Sequence, residues 1–338
     1  MRAMVMKSIV TSLDGSPLEL EEVATPRAVN PTDVVVRITA AGVCRTDLHL
    51  LTGEMESPLP LILGHENAGY VHEIGSGVTT IAVGDPVICF PFISDGLSVQ
   101  ERAGLDTDAP GRTTPGINVN GGYAEFLLTN ERSMLKVPVS ADLAQLATLT
   151  DAGLAAYRAC TKAAEMVRPG DTVMIVGVGG LGHLAVQIVK AISPARIVAV
   201  DTNPAARSFA LECRADVAVS PDQVSAVLPQ GVRACLDFVG LDMTAKLGVE
   251  SLSFGGAYFA VGVGGSINTS LADIVTGERR IEGVYVGTYT DLVEVSELTI
   301  SGKITPRVVR YSLSRANTAL RDLSRSSFLG RAVLVPEQ

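Results

Sequence analysis

The chain contains no tryptophan, only 4% aromatic residues, and charged groups at just 19% of its 338 positions. A core without large aromatics must be filled by aliphatic side chains, and an apolar content of 47% supplies them. That balance excludes a disordered chain, which cannot bury enough apolar surface to offset its lost entropy. Basic residues are also in short supply, 27 against 36 acidic, for a formal net charge of −9. Nucleic acid and anionic membranes both call for a basic face, so neither is expected as a partner. Long hydrophobic runs are missing too. The longest, residues 173–189, is broken by four glycines, His183 and Gln187, and falls a little short of the ~20 residues of a membrane span. Residues 1–8 carry no apolar segment of the kind a secretory signal has, so a cytoplasmic location is expected. Cysteine is scarce: Cys44, Cys89, Cys160, Cys213 and Cys235 are odd in number and form no C-x-x-C, so no disulfide framework is expected.

What is abundant is punctuation, with 33 glycines and 17 prolines. The length suits two domains. Residues 1–139 read as β-rich, with strands expected over 33–39, 68–74, 86–90 and 122–129. Residues 92–120, dominated by Asp, Gly, Thr and Pro without a sustained period, read as a lobe or long loop. The pattern turns helical at Leu143, Leu146, Ala147 and Leu149. Strands are then expected over 172–176, 196–201, 215–219, 234–239, 257–263 and 281–287, with helices over 180–192 and 204–212. Repeated βα units of that length imply an α/β fold with a parallel, doubly wound sheet of six strands. A segment over 292–300, a helix around 316–323 and a strand over 331–335 complete the reading.

Gly177, Gly179 and Gly182 form a G-x-G-x-x-G between an apolar strand and an apolar helix, the context its mechanism requires. Gly177 would make the tight turn, Gly179 would admit a pyrophosphate to the backbone, and Gly182 would let helix pack on strand. The helix N-terminus would face the phosphate charge. Asp201 ends the next strand, 19 residues after Gly182. A carboxylate there binds ribose hydroxyls and repels a 2′-phosphate, which favours NAD over NADP. The same Asp201 could instead cap the helix that begins at Asn203-Pro204, and Arg207 is a cation close enough to tolerate a phosphate.

Of the four histidines, two have informative company. Cys44-Arg45-Thr46-Asp47-Leu48-His49 follows a strand, and Gly64-His65-Glu66 lies about one strand and turn further on. His72 and His183 read as a strand residue and a helix residue beside the glycine loop. Cys, His and Glu gathered near strand ends suit a zinc ion. With Gly121–Glu125, Asp237–Gly240 and Gly330-Arg331, these segments make the chain resemble a zinc-dependent alcohol dehydrogenase of the medium-chain dehydrogenase/reductase superfamily over essentially its full length.

The resemblance implies a GroES-like catalytic domain over 1–150 and 288–338 and a Rossmann NAD-binding domain over 151–287. It implies Cys44 and His65 as zinc ligands, with Glu66 near enough to approach the metal. Many relatives have a third ligand, a cysteine, where this chain has Asp151; the carboxylate keeps the ligand charge, although Asp151 could otherwise cap an apolar helix. Thr46 would take the substrate proton and pass it by way of the nicotinamide ribose to His49, one helical turn away. Asp47 would orient His65. Arg45 and Arg331 fall where relatives contact the cofactor pyrophosphate, although Arg331 could equally form a salt bridge. Gly180, Leu181 and Val239 fall among the cofactor-binding segments. Many relatives hold a second, structural zinc on four cysteines in the lobe; on that spacing this chain has Asp95, Ser98, Glu101 and Ala109, so one catalytic zinc is expected. Leu50, 90–92 and 285–286 are candidate pocket walls.

The expected activity is hydride transfer between a small primary or secondary alcohol and its aldehyde or ketone. A homodimer or homotetramer is implied. Polyol or sugar oxidation with the same zinc chemistry, a zinc-free NADPH reductase of quinones or enones, and a dinucleotide-binding sensor are the competing readings.

Overall fold

The structure, a computed structural model, describes residues 1–337, which divide into two compact units. The first comprises Met1–Ala152, Thr288–Ser296 and the chain from Pro306 onward; the second comprises Gly153–Gly287 and Glu297–Thr305.

The first unit is built on a seven-stranded sheet. Its order is Val308–Ser312, Arg331–Val335, Asp33–Gly42, Glu66–Ile74, Pro86–Cys89 and Met134–Lys136, with Phe126–Asn130 paired to Asp33–Gly42 off that path. A three-stranded antiparallel sheet joins Leu18–Glu22, Arg2–Met6 and Leu61–Ile62. Val34, Val35, Val36 and Ile38 of the central strand are all buried, as suits a β-branched run covered on both faces. Its register positions the site. Gly42 lies opposite both Glu66 and Val333, so Cys44 (just past one strand end), His65 (just before another) and Arg331 (at the start of a third) converge. A slip of one residue would break the Gly42–Glu66 pairing and set a Cβ opposite Glu66, where glycine leaves room for the carboxylate.

The second unit carries six parallel strands in the order Val217–Val219, Arg196–Val200, Thr172–Val176, Val232–Asp237, Leu252–Ala260 and Arg280–Gly283. Numbered along the chain this is 3-2-1-4-5-6, the doubly wound order whose reversal beside Thr172–Val176 opens a ligand crevice at the strands' C-terminal ends. The strands expected over 234–239 and 281–287 end earlier than their apolar runs. Asp237 turns the chain by accepting the N–H groups of Val239 and Gly240 at 2.8 and 3.0 Å. Val286 has φ 47°, a left-handed conformation that no strand contains. Among the described residues, no helix is long and apolar enough to cross a membrane.

The 92–120 segment holds a four-residue helix, Val99–Arg102, a single 3-10 turn, Asp106–Asp108, and isolated bridges joining Ile93 to Thr113 and Pro115 to Val119. Buried carboxylates organise it. Glu101 accepts the N–H groups of Gly96 and Ser98 at 2.7 and 2.8 Å and closes a capping box with Ser98. The Ser94 and Ser98 hydroxyls, helped by those N–H groups, hold its carboxyl down at about 2. Asp106 accepts Arg132 Nε at 3.0 Å and Nη2 at 2.7 Å, and Arg132 also donates to the Glu101 carbonyl at 3.1 Å. Ala109 is buried and Asp95 accepts the Leu97 N–H, so the positions counted on the four-cysteine spacing serve local backbone structure.

Candidate metal centre and dinucleotide site

Cys44 stands at the N-cap of the helix Arg45–Thr52, which leaves its thiol at the helix start with its N–H bonded to Asp47 Oδ2 at 2.8 Å. Across from it, Asp151 lies in a single π turn, Leu149–Gly153, between the helices Leu143–Ala147 and Leu154–Ala164. A π turn re-aims one side chain out of the regular helical sequence and recurs at functional sites. Asp151 does not cap the following helix, whose N-cap is Gly153, so the capping alternative fails. Its Oδ2 lies 3.7 Å from Cys44 Sγ and 3.5 Å from His65 Nε2. Glu66 completes the group: one ligand atom from each of Cys44, His65, Glu66 and Asp151 falls within 4.8 Å of all the others.

The electrostatics of this cluster call for a cation. Burial alone would lower the His65 pKa, yet Asp151, Asp47 and Cys44 together raise it well above the ordinary value. Burial, the largest single influence, disfavours the Asp151 charge, but the His65 hydrogen bond, the His65 and Arg331 charges and the Cys44 contact together lower the carboxyl. Burial pushes Glu66 up to about 7 against the pull of Arg331. Arg331, 3% exposed, donates from Nη2 to Glu66 Oε1, which also accepts the Ala152 N–H at 3.3 Å. Gly42 is required beside them, because a Cβ there would overlap the Glu66 carboxylate. Glu66 Oε2, His65 Nδ1 and Asp47 Oδ1 make no hydrogen bond, although His65 Nδ1 and Asp47 Oδ1 face each other at 3.6 Å. A soft thiolate, an imidazole and carboxylates with lone pairs to spare fit zinc.

The remaining residues expected from sequence divide. Thr46 Oγ1 lies 3.6 Å from Cys44 Sγ, at the edge of the cluster. His49, one turn on and partly exposed, holds its Nδ1 2.6 Å from Glu54 Oε2. Arg45 is exposed. Arg331 is brought to Glu66, in the interior, rather than to a solvent-facing position. Leu50 is fully buried in the apolar core and lines no open site, because Leu50 and Leu51 form the inward face of their helix. Phe90 and Phe92 pack edge to face at 5.5 Å and are 3% exposed, and Tyr285 is exposed.

Two contributors carry no local signal. Tyr123, fully buried, donates to Asp47 Oδ2 at 2.6 Å across 76 residues of sequence. Burial, reinforced by the Asp47 charge, holds its phenol well above the usual range, so it remains a donor. Glu54 meets His49 only because Gly53, in the left-handed conformation with φ 75°, ends the helix and turns the chain back.

The second unit holds the glycine loop. Gly177 has φ 85° and a Cβ there would press on Val239 Cγ2 at 2.5 Å, which places Val239 against the loop. A Cβ on Gly182 would overlap the Gly177 carbonyl, the close helix-to-strand approach the motif implies. Around a Cβ on Gly179 there is nothing within 4 Å, so this glycine leaves open space for a phosphate. Gly180 and Leu181 lead into the helix Gly182–Ile192, whose His183 N–H reaches the Gly179 carbonyl at 3.3 Å and whose Leu184 N–H reaches the Leu181 carbonyl at 3.0 Å, with the positive end of the helix dipole at the loop. His183 supports the loop, with Nδ1 2.9 Å from the Gly179 carbonyl. Asp201 accepts the Val178 N–H on Oδ2 and the Asn203 N–H on Oδ1, both at 2.8 Å, and each oxygen keeps a lone pair. The cap of the next helix is Asn203, not Asp201. Arg207 Nη1 is spent on the carbonyls of Asp201 and Thr202, both at 2.9 Å.

Known proteins resemble this chain over nearly its whole length. Residues 30–139 match the family described as the alcohol dehydrogenase GroES-like domain, and residues 180–301 match that of the zinc-binding dehydrogenases. The chain is 35% identical to an NAD-dependent alcohol dehydrogenase of Sulfolobus acidocaldarius, over 97% of this chain and 99% of that one. It is 32% identical to an alcohol dehydrogenase of Geobacillus stearothermophilus, over 97% and 98% respectively. The crystal structure of the alcohol dehydrogenase from the hyperthermophilic archaeon Aeropyrum pernix superimposes with a TM-score of 0.94 at 38% identity, covering 99% of this chain and all of that one, 100%.

Proposed function

Because this chain belongs to the zinc-dependent alcohol dehydrogenases of the medium-chain dehydrogenase/reductase superfamily, we propose that Cys44, His65 and Asp151 hold one catalytic zinc and that its substrates are small primary or secondary alcohols and their carbonyls. The protein is an alcohol and carbonyl oxidoreductase that uses zinc and NAD. The observation that carries the site assignment is the 4.8 Å cluster, in which a π turn aims Asp151 at Cys44 and His65. Zinc supplies a Lewis acid that withdraws charge from the substrate oxygen, and the nicotinamide supplies the hydride acceptor.

The chain's own residues supply the rest. Thiolate and carboxylate ligands balance a dication, and Arg331 neutralises Glu66, so the centre is close to neutral and tolerates burial. Asp47 Oδ1 faces His65 Nδ1 and would orient the ring so that Nε2, on the Asp151 side, is offered to a bound ion. Thr46 is the proposed first acceptor of the substrate proton, and His49, partly exposed and paired with Glu54, is the outlet to solvent. Asp201 supports NAD over NADP, since a 2′-phosphate would meet a carboxylate, and Arg207 turns its Nη1 to backbone carbonyls. The exposed edge strand Arg280–Gly283 supports a homodimer or homotetramer built through the sheet edge. Five buried cysteines, none in a disulfide, support a reducing, cytoplasmic setting.

The test is metal analysis of the purified protein together with oxidation of NADH and of NADPH against a panel of aldehydes, ketones and sugars. One zinc per chain and NADH-dependent carbonyl reduction, both lost on chelation, are expected. Reduction of quinones or enones with NADPH that survives removal of all zinc would replace this reading with the zinc-free one.

A further inference from the structure

Tyr123 sits where no surface or ligand role can reach it. Its backbone is pinned on both sides, N–H to the Leu63 carbonyl at 2.9 Å and carbonyl to the Met4 N–H at 2.8 Å. Its ring occupies the space beside Gly64, the residue before His65; Gly64 has φ 99°, and a Cβ there would overlap the ring. The hydroxyl therefore has one fixed reach, and it ends 2.6 Å from Asp47 Oδ2, with the Gly42 carbonyl at 3.3 Å.

Asp47 is consequently asymmetric. Oδ2 receives two donors, the Tyr123 O–H at 2.6 Å and the Cys44 N–H at 2.8 Å, while Oδ1 receives none and faces His65 Nδ1 at 3.6 Å. A carboxylate held by one donor can rock about its terminal torsion, which is broad and soft. With two donors converging on one oxygen, it presents the other in a fixed direction. We propose that Tyr123 is a positioning residue of the metal centre: its O–H locks Asp47 so that Oδ1 meets His65 Nδ1–H and the Nε2 lone pair stays aimed between Cys44 and Asp151. This rests on the assignment of Cys44, His65 and Asp151 as the metal ligands. Partners of this kind, one bond removed from a metal-ligating histidine, are worth 10–100-fold in metal affinity.

The experiment follows zinc release from the holoenzyme in excess EDTA by metal analysis, for the native protein and for Y123F, D47N and Y123F/D47N. Y123F keeps the ring beside Gly64 and removes only the hydroxyl. It is expected to release zinc about tenfold faster, and the double variant is expected to release it no faster than D47N alone. Melting temperatures of the same proteins report the packing cost separately, and a packing role alone would lower them without changing zinc release. Native-rate release from Y123F, or an effect that adds in full to that of D47N, overturns the proposal. C44S and H65N in the same assay separate the two levels. If they lose zinc while Y123F holds it, the positioning role fails alone; if they hold zinc as the native protein does, the ligand assignment fails with it.

Discussion

The lobe at 92–120 offers the most direct test of whether its buried carboxylates hold it together. Arg132→Met removes the cation that faces Asp106 while preserving most of the side chain's apolar stem. Asp106 is 4% exposed and would be left with a single neutral donor, the Ser94 hydroxyl at 3.3 Å. Breaking a fully buried pair from one side costs about 3–5 kcal/mol. The Arg132 side chain is 40% exposed, so solvent already screens part of the interaction, and about 2 kcal/mol is the appropriate figure. The lost bond from Arg132 to the Glu101 carbonyl falls within that figure. Since 1.4 kcal/mol is tenfold, local opening should rise by about 30-fold. Hydrogen exchange measured by mass spectrometry on peptides spanning 95–112 reads that opening directly. Faster exchange in R132M, with native exchange in protein stripped of zinc by a chelator, is the expected pair of results. If stripping the metal loosens these peptides as much as R132M does, a metal holds the lobe and the carboxylate account is wrong.

Three further outcomes follow from the same structure. Asp151→Ala should lose zinc and, with several kcal/mol of Lewis-acid stabilisation gone, about 10³-fold in kcat. Asp151→Cys should restore both, and zinc content with steady-state kinetics decides. Asp201→Asn keeps an acceptor for the Val178 N–H but removes the charge. KM for NAD should rise about 10–100-fold, the worth of one charged hydrogen bond, while KM for NADP falls; unchanged values for both would remove Asp201 from cofactor selection. Glu101 titrates at about 2 in the folded lobe, below its unfolded value near 4.3. Its stabilisation is therefore complete above about pH 4.3 and is lost as pH falls towards about 2, because the unfolded chain takes up the proton first. Glu101→Gln should abolish that pH dependence in limited proteolysis of the lobe between pH 5 and pH 3, and an identical pH profile in the variant would contradict it.

Residues such as Gly177, Gly179 and Gly182 could be read from sequence because their requirement is local. A tight turn, an open approach and a close helix contact each depend on a few neighbouring atoms, and the spacing alone encodes them. The alternation of strand and helix over 172–283 is equally local, since an apolar run buried on both faces announces itself without knowledge of its neighbours. Strand ends were less readable. Val284 and Val286 continue the apolar pattern, yet the ladder ends at Gly283 and Val286 takes a left-handed backbone.

The amino-acid sequence by itself determined that this chain has a dinucleotide loop, a doubly wound sheet and the residue types of a single zinc centre. Tertiary structure alone decided which of those residues meet. Register across Asp33–Gly42 brings Cys44, His65 and Arg331 together, a π turn aims Asp151, and the Gly64 cradle directs Tyr123 onto Asp47. It also turned Arg331 inward to Glu66 and Leu50 into the core. The physical reason is one of range: propensity and spacing act over a turn or a strand, whereas a side chain's partner is set by whichever distant strand core burial has placed beside it.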